Sequence, residues 1–248
     1  MLNTLSCALS GNYCNYGVFA LYNDSALQNA LDVSLQVCLQ IPITDVLAYI
    51  KLSKAYYAFL EILFRNHLDM LSGLDSSVFI QLVNCNHEGL QSSGMHICDF
   101  LIFFDLFVDL SVSALCASTI DHIATYMFLN QTKDKPTVQL IRSHISSEPD
   151  ILHKLMSTLF NLLLFNSHAN HWAVTRPILS LMLASEESFT DYQNGLTATQ
   201  SPENQEKLRE EFSKLTTDVQ RSVDTANRDR FTQKLTIFRL NVRQFLSL

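Results

Sequence analysis

Three short clusters in this chain carry residue types that could do chemistry. His168-Ala169-Asn170-His171 sets two imidazoles three residues apart, a spacing that turns both toward one side of a helix, where they could share a metal ion. A structural metal site takes four ligands and the sequence offers no second pair, so capping or loop histidines are the favoured reading. Asp121-His122 could be a carboxylate beside a general base. Neighbours on a helix point about 100° apart, however, so the two are expected to be surface or capping groups. Asn227-Arg228-Asp229-Arg230 concentrates three charges at the start of a predicted helix. Closing a turn is its expected role, worth about 1 kcal/mol if exposed. Arg228, Asp229 and Arg230 are at the same time candidate contacts for a protein partner, joined by Arg176, which lies four residues after Trp172 and could cover its indole face.

None of the common catalytic devices is present: there is no GxGxxG, Walker loop, GxSxG or HExxH. The sequence assigns no catalytic residue, cofactor or metal, and the chain is not expected to be an enzyme. Six cysteines, Cys7, Cys14, Cys38, Cys85, Cys98 and Cys116, form no CxxC and no short framework, which suits buried or free thiols in a reducing compartment, cytosol or nucleus.

Charge narrows the partners. The net charge is −7, and between Arg65 and Lys133 there is no Lys or Arg, while Asp69, Asp75, Glu88, Asp99, Asp105, Asp109 and Asp121 fall there. Such a segment repels a phosphate backbone, so nucleic acid is disfavoured. It either solvates helix faces or faces a basic protein. The stretch from Leu155 to Thr175 lacks formal charge and could span a bilayer by length, but its Asn and His side chains argue against insertion. The first ten residues show no basic region ahead of an apolar core, so no secretory signal is read there.

The elements that position these groups are helices. Leu208, Phe212, Leu215, Val219 and then Phe231, Leu235, Phe238, Val242, Phe245 follow steps of three and four, and Ser201-Pro202 suits a helix start. The two runs predict an antiparallel hairpin. Leu27, Leu31, Leu35, Cys38 and Ile41 predict a helix stopped at Pro42, and a second is predicted from Thr44 or Asp45 to about Leu68, before Gly73. Further helices are expected at about 76–90, 114–129, 148–164 and 169–183, with Pro177 marking either a kink or a boundary in the last. With 48% hydrophobic and 17% charged residues over 248 positions the chain can bury a large core. The fold is expected to be all-α, an α-solenoid of antiparallel HEAT-like helix pairs, with a compact bundle as the alternative.

Several blocks resemble one family. ALSGNYCNYGVFALYNDSALQNAL at 8–31, KLSKAYYAFLE at 51–61, IDHIATYMF at 120–128, NHWAVTRPILSLML at 170–183 and NRDRFTQKLTIFR at 227–239 are similar, in order, to the C-terminal part of the exportin-7 family of Ran-binding nuclear transport receptors, in the importin-β superfamily. The resemblance implies a single HEAT-repeat segment over 1–248 and no catalysis. It implies Ran GTPase, folded protein cargo and nuclear pore proteins as partners, and shuttling between cytoplasm and nucleus through the pore. Family members are several times longer and bind Ran mainly near their N-terminus, so the chain is expected to be the C-terminal end of a receptor or a truncated product that holds Ran weakly. The likeness fails at about 92–113, where CDFLIFFDLFVDLS reads as an insertion into a helix-pair connection, either of lineage origin or retained non-coding sequence, and as an aggregation-prone window gated by Asp99 and Asp105. A helical-repeat scaffold without Ran, and a metal-dependent enzyme using the scattered histidines, are the competing function classes.

Overall fold

Wherever large apolar residues recur at three- and four-residue steps, the chain forms a helix whose apolar face is buried. A computed structural model describes residues 1–11, 18, 21–92, 102–166 and 171–246, with the backbone alone for 102–110 and 171. Among the described residues every regular element is a helix: α1 Leu2–Leu9, α2 Ala26–Gln40, α3 Ile43–Ala48, α4 Ile50–Asn66, α5 Leu68–Leu71, α6 Ser76–Ser92, α7 Ile102–Leu129, α8 Pro136–Ser147, α9 Ile151–Phe165, α10 His171–Ala184, α11 Glu186–Ala198, α12 Pro202–Thr216 and α13 Thr225–Val242. The all-α expectation holds.

The closing hairpin is as predicted. Leu208, Phe212, Leu215, Phe231, Leu235, Phe238 and Val242 are all buried, with Val219 and Phe245 packed at the edge of the core. Pro202 occupies the first turn of α12, where its missing N–H costs nothing. The predicted single helix from 44 to 68 is instead three, interrupted by Tyr49 in extended geometry and by His67, whose ring nitrogen meets the Leu9 carbonyl at 2.8 Å. That contact, with Asn66 donating to the Ser10 carbonyl at 3.2 Å, ties the end of α4 to α1 and turns the chain there.

Other boundaries also differ. The helix expected from Ala114 is helical from Ile102, so 102–113 belong to α7 rather than to a loop, while 93–101 lie outside the described residues. Pro177 sits inside α10 without dividing it. α8 and α11 are not predicted from the sequence, because each buries few large apolar groups: Val138 and Ile141 in α8, Phe189 and Tyr192 in α11. The stretch 155–175 is not one span, since α9 ends at Phe165 and Asn166 is extended. Among the described residues one segment, Ser111–Leu129, is long and apolar enough to cross a membrane by length and composition, with 44% of it buried in the fold.

The helices form two rows. In one, α4, α7, α10 and α13 lie side by side in chain order; in the other, α6, α9, α11 and α12 do the same, and α8 covers α6. Within the first row α4 and α7 run parallel, since Tyr57 and Cys116 meet beside Gly89 and Glu61, one turn on, meets Ser118 and His122. Parallel neighbours within a row and antiparallel partners between rows are the geometry of helical-repeat solenoids. Between the rows, Phe160 stacks on Tyr192 at 4.5 Å and meets Phe212 and Phe238 edge-on at 6.3 and 6.4 Å, a cluster joining four helices. At the other end Gly89 lets α6 approach α4 and α7: a Cβ there would come within 2.6 Å of Cys116 Sγ and the Tyr57 ring. The regular alternation breaks at α11 and α12, two consecutive helices in the same row.

Candidate functional site

Polar groups gather on α7, and the adjacent Asp121 and His122 leave it on different flanks. Asp121 faces α10 and α13. Arg228, near the start of α13, donates from Nη1 to both Asp121 oxygens at 3.0 Å, from Nη2 to Thr125 Oγ1 at 2.9 Å and from Nε to the Val223 carbonyl at 2.8 Å. The Ser180 hydroxyl of α10 donates to the same carboxylate and lies 3.1 Å from that of Thr125. Both charged side chains are largely buried, 13% and 16% exposed. One guanidinium nitrogen sits across both carboxylate oxygens while the other two hold Thr125 and the Val223 carbonyl, so three helices of the first row are pinned at one point.

His122 turns to α4. Its Nε2 lies 3.2 Å from Glu61 Oε1, which also accepts from Arg65 at 3.1 Å and Ser118 at 3.2 Å. Burial pushes the Glu61 carboxyl up, but the His122 hydrogen bond and the Arg65 charge outweigh it and hold the group below its ordinary value. The expectation that Asp121 and His122 are surface or capping groups is therefore corrected. Each makes a cross-helix contact, because α7 is flanked on both sides by other helices.

The four candidate partner contacts separate by environment. Arg228 is committed inward, Asp229 is half-buried, and Arg176 and Arg230 are exposed. Arg176 lies one turn before Ser180, so Arg176 and Arg228 belong to the same α10/α13 junction. Trp172 on α10 and Ile237 and Leu240 on α13 are more than half exposed, adding apolar surface to those helices. The turn-closing role expected of the cluster falls to Asp224 and Asn227. Asp224 caps α13 by accepting from the Asn227 N–H at 2.8 Å, and Asn227 donates to the Gln220 and Ser222 carbonyls at 2.8 and 2.6 Å. The Ser222 hydroxyl and that N–H hold the Asp224 carboxyl below its usual range.

The three buried thiols are the opposite of activated nucleophiles. Cys38, Cys85 and Cys116 are buried and free; burial pushes the Cys38 thiol up to about 12 and raises the other two. His144 is held between the Ser76 hydroxyl and the Ser72 carbonyl, both at 2.8 Å, and stacks on Phe79. Among the described residues no three His, Cys, Asp or Glu side chains gather in a way that could hold a metal. His168 and Asn170 lie outside the described residues, as does the side chain of His171. The acidic stretch is not one surface: Asp121 is paired, Asp69 accepts from Tyr126 at 3.0 Å, Asp75 is exposed, and Asp99 and the side chains of Asp105 and Asp109 lie outside the description.

No family model and no solved structure matches the chain. Curated proteins do. Over 97% of its length the chain is 35% identical to Exportin-7-B of Xenopus laevis, and over 98% it is 33% identical to Ran-binding protein 17 of Homo sapiens. Ran-binding protein 16 of Drosophila melanogaster is 27% identical over 95%. The chain spans about a fifth of the length of these relatives, 21% of the first and third and 22% of the second. The names record export and Ran binding, and they agree with the blocks quoted from the sequence: the chain matches a C-terminal part of exportin-7.

Proposed function

We propose that the chain is a nuclear transport receptor segment. Within a longer exportin-7-like receptor it would contribute helical-repeat surface to the movement of folded protein cargo between nucleus and cytoplasm, with Ran-GTP setting the affinity and pore proteins guiding passage. The observation that carries this reading is similarity along 97% of the chain, at 35% identity, to a protein named for export. A two-row helical fold with polar cross-links between its helices supports it, because such a frame presents extended surfaces to partners without catalysis. The reading assigns no cofactor and no nucleic acid or membrane partner.

A segment of a solenoid holds only part of each interface, so the chain alone should bind Ran with a Kd of about 1 μM or weaker, and with little preference for the GTP form. Titration of fluorescent Ran-GTP and Ran-GDP, at low and physiological salt, measures this. Tight, GTP-selective binding would make the chain a self-sufficient receptor, and no binding up to about 1 mM would favour a Ran-independent scaffold.

A further inference from the structure

Where the alternation of the two rows breaks, the consecutive helices α11 and α12 leave an open trough of about 580 Å³ between them. Its lining is unlike the apolar seams elsewhere. Gln193 and Asn194 come from α11, and Gln205 and Arg209 from α12, while the buried ring of Phe212 closes the inner side. The side-chain amides of Gln193 and Asn194 hydrogen-bond to no other described residue. Gln205 is held in place by donating to the Gln200 carbonyl at 3.0 Å, and its oxygen accepts from Arg209 at 3.3 Å. Arg209 forms no ion pair among the described residues, whereas the other cations of α12 do: Lys207 with Glu203, and Lys214 with Glu210 and Glu211.

These groups suit a particular ligand chemistry. A primary amide both donates and accepts, which matches the N–H and C=O of a peptide main chain, and a guanidinium without a carboxylate partner matches one carboxylate. The volume falls within the range of ligand sites. An open trough between two helices favours an extended chain over an enclosed small molecule. We propose that the α11/α12 trough is a peptide-binding site that takes an extended segment of a partner protein. Gln193, Asn194 and Gln205 pair with its main chain, and Arg209 pairs with one Asp, Glu or C-terminal carboxylate. Exposed Glu206 beside Arg209 limits the preference to a single carboxylate, since a run of acidic residues would meet like charge.

The test is selection of phage-displayed random dodecapeptides on the full chain, followed by titration of the enriched peptides in fluorescent form. Sequences with one carboxylate at a fixed position should be enriched. Arg209→Gln should weaken them tenfold or more, and Ala198→Trp, which fills the trough from its exposed lining, should abolish binding. Unchanged circular dichroism in both variants checks that they fold, and hydrogen exchange should place protection by the peptide on α11 and α12. No enrichment over a blank surface, equal binding to Arg209→Gln, or protection elsewhere would overturn the site. Enriched peptides lacking any carboxylate would overturn the role of Arg209. None of these outcomes depends on Ran.

Discussion

The two flanks of α7 solve one problem, a buried carboxylate, with different partners. On the α10/α13 flank Asp121 meets a guanidinium that is always charged, one nitrogen of which spans both carboxylate oxygens, and a third helix is drawn in through Ser180. On the α4 flank Glu61 meets a histidine, an arginine one turn away on its own helix, and a hydroxyl. His122 and Arg65 are about a third and nearly half exposed, so water screens those contacts as it cannot screen Asp121. The first flank is thus a fixed rivet and the second a softer contact open to solvent and to pH. Both sit between neighbours in the same row, where a solenoid's curvature is set.

That contrast is open to a direct test in stability. Asp121→Ala would leave Arg228 buried without its carboxylate, and the expected cost is about 3–5 kcal/mol, read from urea unfolding. Asp121→Leu with Arg228→Met should recover most of it, because a buried pair replaced by apolar groups of similar size is close to neutral. If the single change is harmless, the rivet is not one.

The softer flank should respond less. Glu61→Gln keeps the shape, loses the charge, and should cost about 1 kcal/mol at neutral pH. The folded carboxyl titrates below its ordinary value of 4.5, so its contribution is present above that value and disappears as pH falls through the lower folded one. The variant should therefore lose less stability than the wild type on acidification below about pH 4.5. Equal acid limbs in the two proteins would place the charge contribution elsewhere.

The smallest effect concerns a third polar seam. His87 on α6 lies 2.8 Å from Thr158 Oγ1 on α9, and burial, with Lys154 nearby, lowers its pKa from the ordinary 6.5. The neutral ring is favoured in the fold, so stability declines as pH falls below 6.5 and stops declining at the folded value. His87→Gln should remove that component of the pH dependence while changing stability at pH 8 by less than about 1 kcal/mol. Thermal midpoints across pH 5 to 8 decide it, and an unchanged slope in the variant would assign the titration to another group.

Legibility in the sequence follows the range of the interactions involved. The seams of α12 and α13 are read directly, because helical periodicity is local and Leu208, Phe212, Leu215, Phe231, Leu235 and Phe238 each lie three or four positions from the next within their own helix. α8 and α11 escape that reading since their buried faces are narrow and partly polar, with His144 in one and Ser188 and Thr197 in the other. Their start signals were present: Pro136 in the first turn of α8, and Ser185 ahead of Glu186 and Glu187, its hydroxyl accepting from the Ser188 N–H.

By itself the sequence determined the helical class, the closing hairpin and, through its ordered blocks, the exportin-7 resemblance, because these rest on spacing and on residue identity along the chain. Only the tertiary structure decided that Arg228 turns inward to Asp121 rather than outward to a partner. It also decided that Asp121 and His122 serve opposite neighbours, and that α11 and α12 lie side by side with a polar trough between them. The reason is physical: an ion pair between residues 107 positions apart leaves no periodic trace in either local stretch, and whether a charge faces water or a carboxylate depends on which helices the fold sets beside it.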